Sequence, residues 1–360
     1  MRVKAPRSED GREGRRFTSA ILPRYLRKVP SLENLIPTRY LMGVSSSDMQ
    51  RALEAILGPG ARGLSSTTVP PGPEPADGVR LKQVWQQEFA DWNGRDLSGR
   101  EYVYVWADGI YFNVRCEDAR PCILVLVGGA RADGTKELLA IADGERESKC
   151  SWSEVLRDLQ RRGLAAPPKL AVGDGALGFW AALEEQWPQT QGQRCWVHKT
   201  VNVLAKLPKK PLGRLGALSL SKRLHGAAKQ ALHELYLSDT RAHAGEAFAA
   251  FEKNYADKYP KAWQCLDKDR AALLAFYDFP AAHWVHLRTS NVIESSFSMV
   301  RHRTRQTKGC GSRSATLGMV YKLGRECELK WRRLNRHQLM SKVIQGTRFA
   351  DGVEILQQAA

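Results

Sequence analysis

Tyr102-Val-Tyr-Val-Trp-Ala-Asp108-Gly-Ile-Tyr-Phe-Asn-Val114 is a run of β-branched and aromatic residues with one acid in its middle. Residues of that kind fit a pleated, half-buried surface, so the run predicts a strand. Most Asp-Gly pairs are turns, and the chain carries others at Asp133-Gly134 and Asp143-Gly144. Here the apolar pattern continues through Ile110, Tyr111 and Phe112, which puts Asp108 within or beside a buried strand. A carboxylate there is costly unless a metal or a partner offsets the loss of water. On this run alone, a turn residue and a functional acid are equally open.

Working outward, Cys122-Ile-Leu-Val-Leu-Val127 predicts a second strand and Glu137-Leu-Leu-Ala-Ile141 a third, with Asp133-Gly134 as the hairpin turn between them. Trp152 to Arg162 has the spacing of an amphipathic helix. Lys169-Leu-Ala-Val-Gly-Asp174 follows as a fourth strand, Leu177 to Trp187 as a helix, and Gln193 to His198 as a short fifth strand. This order predicts an α/β fold with a mixed sheet. Asp174 ends its strand ahead of a helix. It is either a turn or N-cap residue or an acid at the carboxyl edge of a sheet, where such folds place their sites.

Residues 199–280 are rich in Ala, Leu, Lys and Glu with a 3.6-residue period and predict an all-helical insertion. Beyond it, Asn291-Val-Ile-Glu294 reads first as a helix start, with Asn291 as N-cap and Glu294 closing a capping box. That arrangement explains Glu294 without catalysis. Toward the N-terminus, residues 1–20 are basic and polar, and 30–66 predict two helices. Val69-Pro-Pro-Gly-Pro-Glu-Pro-Ala-Asp-Gly78 predicts an irregular break before a helix resumes near Val79.

Lys and Arg number 55 against 38 for Asp and Glu, a net charge of +17 that suggests a polyanionic partner, nucleic acid first. The excess is local: Ser295 to Met340 holds 11 Lys or Arg and two acids, Glu326 and Glu328. No apolar leader or run of about 20 apolar residues occurs, so neither a signal peptide nor a membrane span is expected. The seven Cys form no Cys-x-x-Cys pair, which fits free thiols in a reducing cytoplasm. In Cys195-Trp-Val-His198 a zinc site would need further ligands, and no second Cys/His pair stands at ligand spacing. A buried Cys with a structural His is favoured, and Trp106, Trp152, Trp180 and Trp196 read as core.

Taken together, an acid on the first strand, one after the fourth, and a Glu on a helix beyond an all-helical insertion form a definite layout. The chain resembles the Mutator-type transposases in their bacterial insertion-sequence branch. The carrying segments are Val105-Trp-Ala-Asp108-Gly-Ile-Tyr, Leu170-Ala-Val-Gly-Asp174-Gly-Ala, Gln193-Arg-Cys195-Trp-Val-His198-Lys and Trp284-Val-His-Leu-Arg-Thr-Ser-Asn-Val-Ile-Glu294-Ser, with Arg301-His-Arg-Thr-Arg-Gln-Thr-Lys-Gly-Cys-Gly-Ser in support. The likeness runs over roughly residues 20 to 345, and four ordered motifs are far more specific than any one.

The resemblance implies a ribonuclease H-like mixed sheet with an all-helical insertion and a helical N-terminal DNA-binding region. It implies that Asp108, Asp174 and Glu294 are the catalytic, metal-holding acids, and that two Mg²⁺ or Mn²⁺ ions are the cofactor. Cys195 and His198 match the family's Cys-x-x-His signature, whose role it leaves open. Arg301, Arg303, Arg305, Lys308 and Arg313 are expected on DNA phosphates. The implied partners are double-stranded DNA, as terminal inverted repeats and target, and further copies of the chain in a homodimer or larger assembly; no membrane is implied. Such a protein would be cytoplasmic and nucleoid-associated when bound.

The expected division is a DNA-binding region at 1–98, the first part of the core at 99–198, the insertion at 199–283, the completion of the core at 284–345 and a tail at 346–360. Family members usually carry more chain ahead of the first matching segment. The Pro-rich stretch 70–78 interrupts what would be a reading helix, and Val292 stands where the family usually has Pro. A ribonuclease H-like nuclease without joining activity and a non-enzymatic DNA-binding remnant are the competing readings.

Overall fold

The computed structural model describes residues 75–111, 122–130, 133–144, 146–175, 177–208, 217–294 and 312–355. The two helices expected within 30–66, and Arg301, Arg303, Arg305 and Lys308, lie outside the described residues. The first described helix, α1 (Pro75–Asn93), begins inside the stretch expected to be irregular. Pro75 explains this: proline lacks the N–H that the first helical turn leaves unbonded anyway, and its φ suits that turn.

Five strands form one mixed sheet in the order β3-β2-β1-β4-β5. They are β1 (Tyr102–Tyr111), β2 (Cys122–Ala130), β3 (Lys136–Gly144), β4 (Leu170–Gly173) and β5 (Gln191–Arg194). β1, β2 and β3 pair antiparallel, while β4 runs parallel to β1 and β5 parallel to β4. The expected hairpin turn is present: Gly134 has φ +66° and Thr135 N–H donates to the Asp133 carboxylate at 3.0 Å. Glycine takes that positive φ without the steric cost other residues meet.

Alternation along the strands separates two cores. Val105, Ala107 and Ala171 face α2 (Lys149–Arg161) and α3 (Leu177–Gln186), where Trp152, Leu156, Phe179 and Leu183 pack. Tyr104, Trp106, Ile110, Leu170 and Val172 face the opposite way, into a core completed by Phe248, Phe276, Trp284 and Leu287. The described elements between β5 and Glu294 are all helical: α4 (Trp196–Leu204), α5 (Ala217–Leu237), α6 (Arg241–Tyr255), α7 (Pro260–Asp267), short helical turns to Leu287, and residues 291–294. The strand expected over Gln193–His198 therefore ends at Arg194, and Cys195 caps α4 instead. Four residues are too few to show which period governs them. The buried set Trp196, Lys199 and Val203 displays the helical one.

Gln193 bolts the helical layer to the sheet. Its amide donates to Leu273 O at 3.1 Å, and its carbonyl accepts Phe276 N–H at 2.8 Å. It is fully buried. Gln193→Leu is expected to lower unfolding free energy by about 1–3 kcal/mol, because the Phe276 N–H would be buried without an acceptor. The readout is a lower urea midpoint at unchanged slope, and an unchanged midpoint would refute the role. Downstream, α8 (Arg313–Glu328) packs on α1 and β3. The segment expected as a tail from 346 carries a short hairpin, Phe349–Ala350 with Val353–Glu354, whose Gly352 N–H donates to Tyr277 O at 3.1 Å.

Candidate active site

Sheet register brings the first two acids together. Ala107 of β1 pairs with Gly173 of β4, and Gly173 pairs with Arg194 of β5. The next residues in the three parallel strands are Asp108, Asp174 and Cys195. Neighbouring strands lie about 4.8 Å apart. Alternation puts all three on the face of Trp106, Val172 and Gln193, the face covered by the helical layer. Cys195 N–H extends the ladder to Gly173 O at 2.7 Å.

Asp108 is 7 % exposed, and its Oδ1 accepts the Gly109 N–H at 2.9 Å. Burial pushes its carboxyl up to about 6; the charges of Asp174 and Glu294 add to this and that of His198 opposes it. At Asp174 the backbone is fixed by its carbonyl, which accepts from Trp180 Nε1 at 2.8 Å and Arg194 Nη1 at 3.0 Å. The Arg194 guanidinium stacks over Trp180 at 4.1 Å, so the two donors hold each other.

Glu294 arrives on a second segment fastened to the start of α4. Arg288 O accepts the Trp196 N–H at 2.9 Å. Ser290, fully buried, approaches Cys195 Sγ with its N–H at 3.3 Å and its hydroxyl at 3.2 Å. The same hydroxyl is 2.8 Å from Glu294 Oε1. The expected capping box is absent, because the cap sits one residue earlier. Ile293 and Glu294 N–H groups bond to Ser290 O, so Asn291 is the first helical residue. The Glu294 carboxylate is thus free of that duty and turns toward Ser290 and His198, whose Nδ1 lies 3.7 Å from Oε1.

The Cys-x-x-His pair stands beside this acid, and Cys195, His198 and Glu294 each offer a ligand atom within 4.8 Å of the others. A hydrogen bond with Cys195 pushes the His198 imidazole up to about 9 against the effect of burial; the negative charges of Cys195, Glu294 and Asp108 assist. Burial alone would raise the Cys195 thiol, but hydrogen bonds with His198 and Ser290 outweigh it and the net shift is downward. These neighbours favour the protonated form of His198 when no cation is bound.

A further acid enters from the other side of the sheet. Glu147 precedes α2, and a Cβ built on Gly109 would lie 2.4 Å from its Oε1. Burial pushes its carboxyl up to about 7, with Asp174 and Asp108 adding. Nothing in the residues around Glu147 marks it. The sequence signal is Gly109, since glycine inside a strand marks close approach of another group. Of the basic residues expected on DNA, Arg313 is described: it opens α8, is 41 % exposed, and lies 3.5 Å from Asp143.

A family model described as Transposase, Mutator family matches residues 1–333. The chain is 46% identical over 321 residues to the transposase for insertion sequence element IS6120 of Mycolicibacterium smegmatis, covering 89% of this chain and 92% of that protein. It is also 46% identical over 312 residues to the transposase for insertion sequence element IST2 of Acidithiobacillus ferrooxidans, covering 85% and 95%. Among solved structures, the Drosophila P element transposase strand transfer complex aligns over 84% of this chain and 85% of that one, at 12% identity and a TM-score of 0.28. A match over nearly the whole chain, joined by two relatives of similar length at 46% identity, means that the chain belongs to the Mutator family of transposases.

Proposed function

We propose that the chain is a DDE-type transposase that cuts DNA at transposon ends and joins the freed end to target DNA. Asp108, Asp174 and Glu294 are its metal-holding acids, and Glu147 sits beside them. The observation that carries this reading is the convergence of acids from two neighbouring strands and a distant helix on one edge of the sheet. The three antiparallel strands followed by two parallel ones, with helices on both faces, support a ribonuclease H-like core.

The residues fit hard divalent cations. Asp108 and Glu147 are at least partly buried, and among the described residues neither is paired with a Lys or Arg. Burial and the neighbouring acids hold the Asp108 and Glu147 carboxyls up toward their protonated forms, an effect that a bound cation would reverse, and carboxylate oxygens suit Mg²⁺ or Mn²⁺. Two such ions, when bound, activate the attacking oxygen and stabilise the leaving one. The chain's own part is placement. The sheet fixes Asp108 and Asp174, while Ser290 and His198 aim Glu294. Arg313 and the basic residues Arg301, Arg303, Arg305 and Lys308 would neutralise DNA phosphates, positioning the duplex without reading it.

In this reading water cuts first and frees a 3′-hydroxyl, which then attacks the target. One phosphodiester is exchanged for another, so no nucleotide cofactor is required. The substrate is double-stranded DNA bearing the element's terminal inverted repeats, engaged by two or more copies of the chain. Among the described residues no helix is long and apolar enough to cross a membrane.

The test is an assay of the purified chain on duplexes carrying the repeats that flank its coding region. Mg²⁺-dependent nicking and joined product are expected, both lost on chelation. Cleavage without joining would identify a nuclease, and binding with neither would identify a remnant.

A further inference from the structure

We propose that Cys195, His198 and Glu294 form a second cation site, one for a borderline metal of the Zn²⁺ class, and that its occupancy competes with the catalytic use of Glu294. The donor set is the first argument. Thiolate and imidazole select zinc-like ions and discriminate against Mg²⁺, whereas the carboxylates of Asp108, Asp174 and Glu147 do the reverse. Two chemistries therefore meet at one residue, Glu294, which either group can claim.

Geometry is the second argument. The three ligand atoms lie within 4.8 Å of one another, and His198 Nδ1 and Glu294 Oε1 are 3.7 Å apart. Tetrahedral zinc with ordinary bond lengths places its donors about 3.3–3.7 Å apart. Side-chain shifts on the order of 1 Å would close the triangle to those separations. Three protein ligands with one open position is the arrangement of open zinc sites.

The donors are also held in place. Cys195 is anchored by its N–H to Gly173 O at 2.7 Å, and His198 follows three residues later on the same side of α4. Glu294 is carried by the segment tied down through Arg288 and Ser290. Ser290 is placed to supply the outer hydrogen bonds that such sites use to orient their ligands, its N–H donating to the sulfur and its hydroxyl to the carboxylate. Access exists as well: the side chains of His198 and Glu294 are 33 % and 25 % exposed, although Cys195 is buried. The sequence hides this site because a pairwise spacing rule looks for a second Cys/His pair. The third donor here is a carboxylate nearly a hundred residues away.

Binding by the three donors stands on its own. Competition rests on the proposed transposase reading, since a carboxylate drawn onto zinc is withdrawn from Asp108. Co²⁺ titration of the full chain is the test, because a Co²⁺–thiolate bond gives a charge-transfer absorption in the near ultraviolet that oxygen ligands do not. The band should saturate near one equivalent, survive a large excess of Mg²⁺, and vanish in Cys195→Ser. His198→Gln, at a partly exposed position, is the second variant and should weaken binding at least tenfold. No band in the folded chain, or a band undiminished in both variants, would overturn the site; the latter would point to another of the cysteines. In the second arm, equimolar Zn²⁺ should reduce Mg²⁺-supported cleavage at least tenfold, with recovery on zinc-selective chelation. Unimpeded cleavage with zinc bound overturns the competition. A cobalt band in a chain that never cleaves leaves the site standing and refutes the transposase reading.

Discussion

Asp108→Asn is expected to reduce DNA cleavage and joining by about 10³-fold or more while leaving duplex binding and its salt dependence nearly unchanged. Asn keeps the shape and the acceptor for the Gly109 N–H but loses the charge that binds cations. The stability sign is unusual and makes the test sharper. Burial holds the folded-state carboxyl up at about 6, above its unfolded value near 3.9. Asp108 therefore costs stability as pH rises through that interval, and the cost is fully present at pH 7.5. Replacing it with a neutral amide should leave the metal-free melting temperature unchanged or higher, and should weaken the stabilisation that Mn²⁺ confers on the parent chain. Glu294→Gln should lose activity in the same way, since its amide oxygen can still accept from Ser290. An Asp108→Asn variant that cleaves normally, or one that no longer binds duplex, would overturn the assignment of this acid.

How much of this was legible in the sequence differs by residue. Strands β1, β2 and β4 were readable because they are nearly pure apolar runs between turn residues, whereas β5, Gln191–Arg194, has no apolar run and is expected two residues too late. Asp108 and Asp174 could be placed at strand positions, but their adjacency depends on the parallel pairing of Ala107 with Gly173, which no local pattern encodes. Cys195 was misplaced in a strand because a four-residue piece shows no period. Glu294 was ambiguous because a helix start one residue earlier, which removes the capping box, looks the same on paper; Ser290, which decides between the readings, is an unremarkable serine in sequence. Glu147 was missed altogether, since its role comes from the close approach of two segments that are distant in the chain. Local chemistry was legible, and tertiary proximity was not.

Gly109→Ala is expected to lower cleavage on the order of 100-fold without unfolding the chain. Gly109 lies within β1, where alanine fits at least as well as glycine and loses less backbone entropy on folding. The three atoms nearest to the added Cβ all belong to Glu147: Oε1 at 2.4 Å, Cδ at 2.5 Å and Cγ at 2.6 Å. A flexible side chain can move aside, so the fold survives, but the carboxylate must leave the notch beside Asp108 and Asp174. Displacing a charged group by about 1 Å at a reacting centre is enough for a loss of that size. The cause can be isolated with a double-mutant cycle. Glu147→Ala alone should lower Mn²⁺ affinity, and adding Gly109→Ala in that background should do little more, because nothing is left to displace. If Gly109→Ala is equally damaging with Glu147 already truncated, the glycine acts for another reason and Glu147 has no part in the site. If both variants keep full Mn²⁺ affinity and full cleavage, the metal-holding set is Asp108, Asp174 and Glu294 alone, and the raised carboxyl of Glu147 reflects only its burial near their charge.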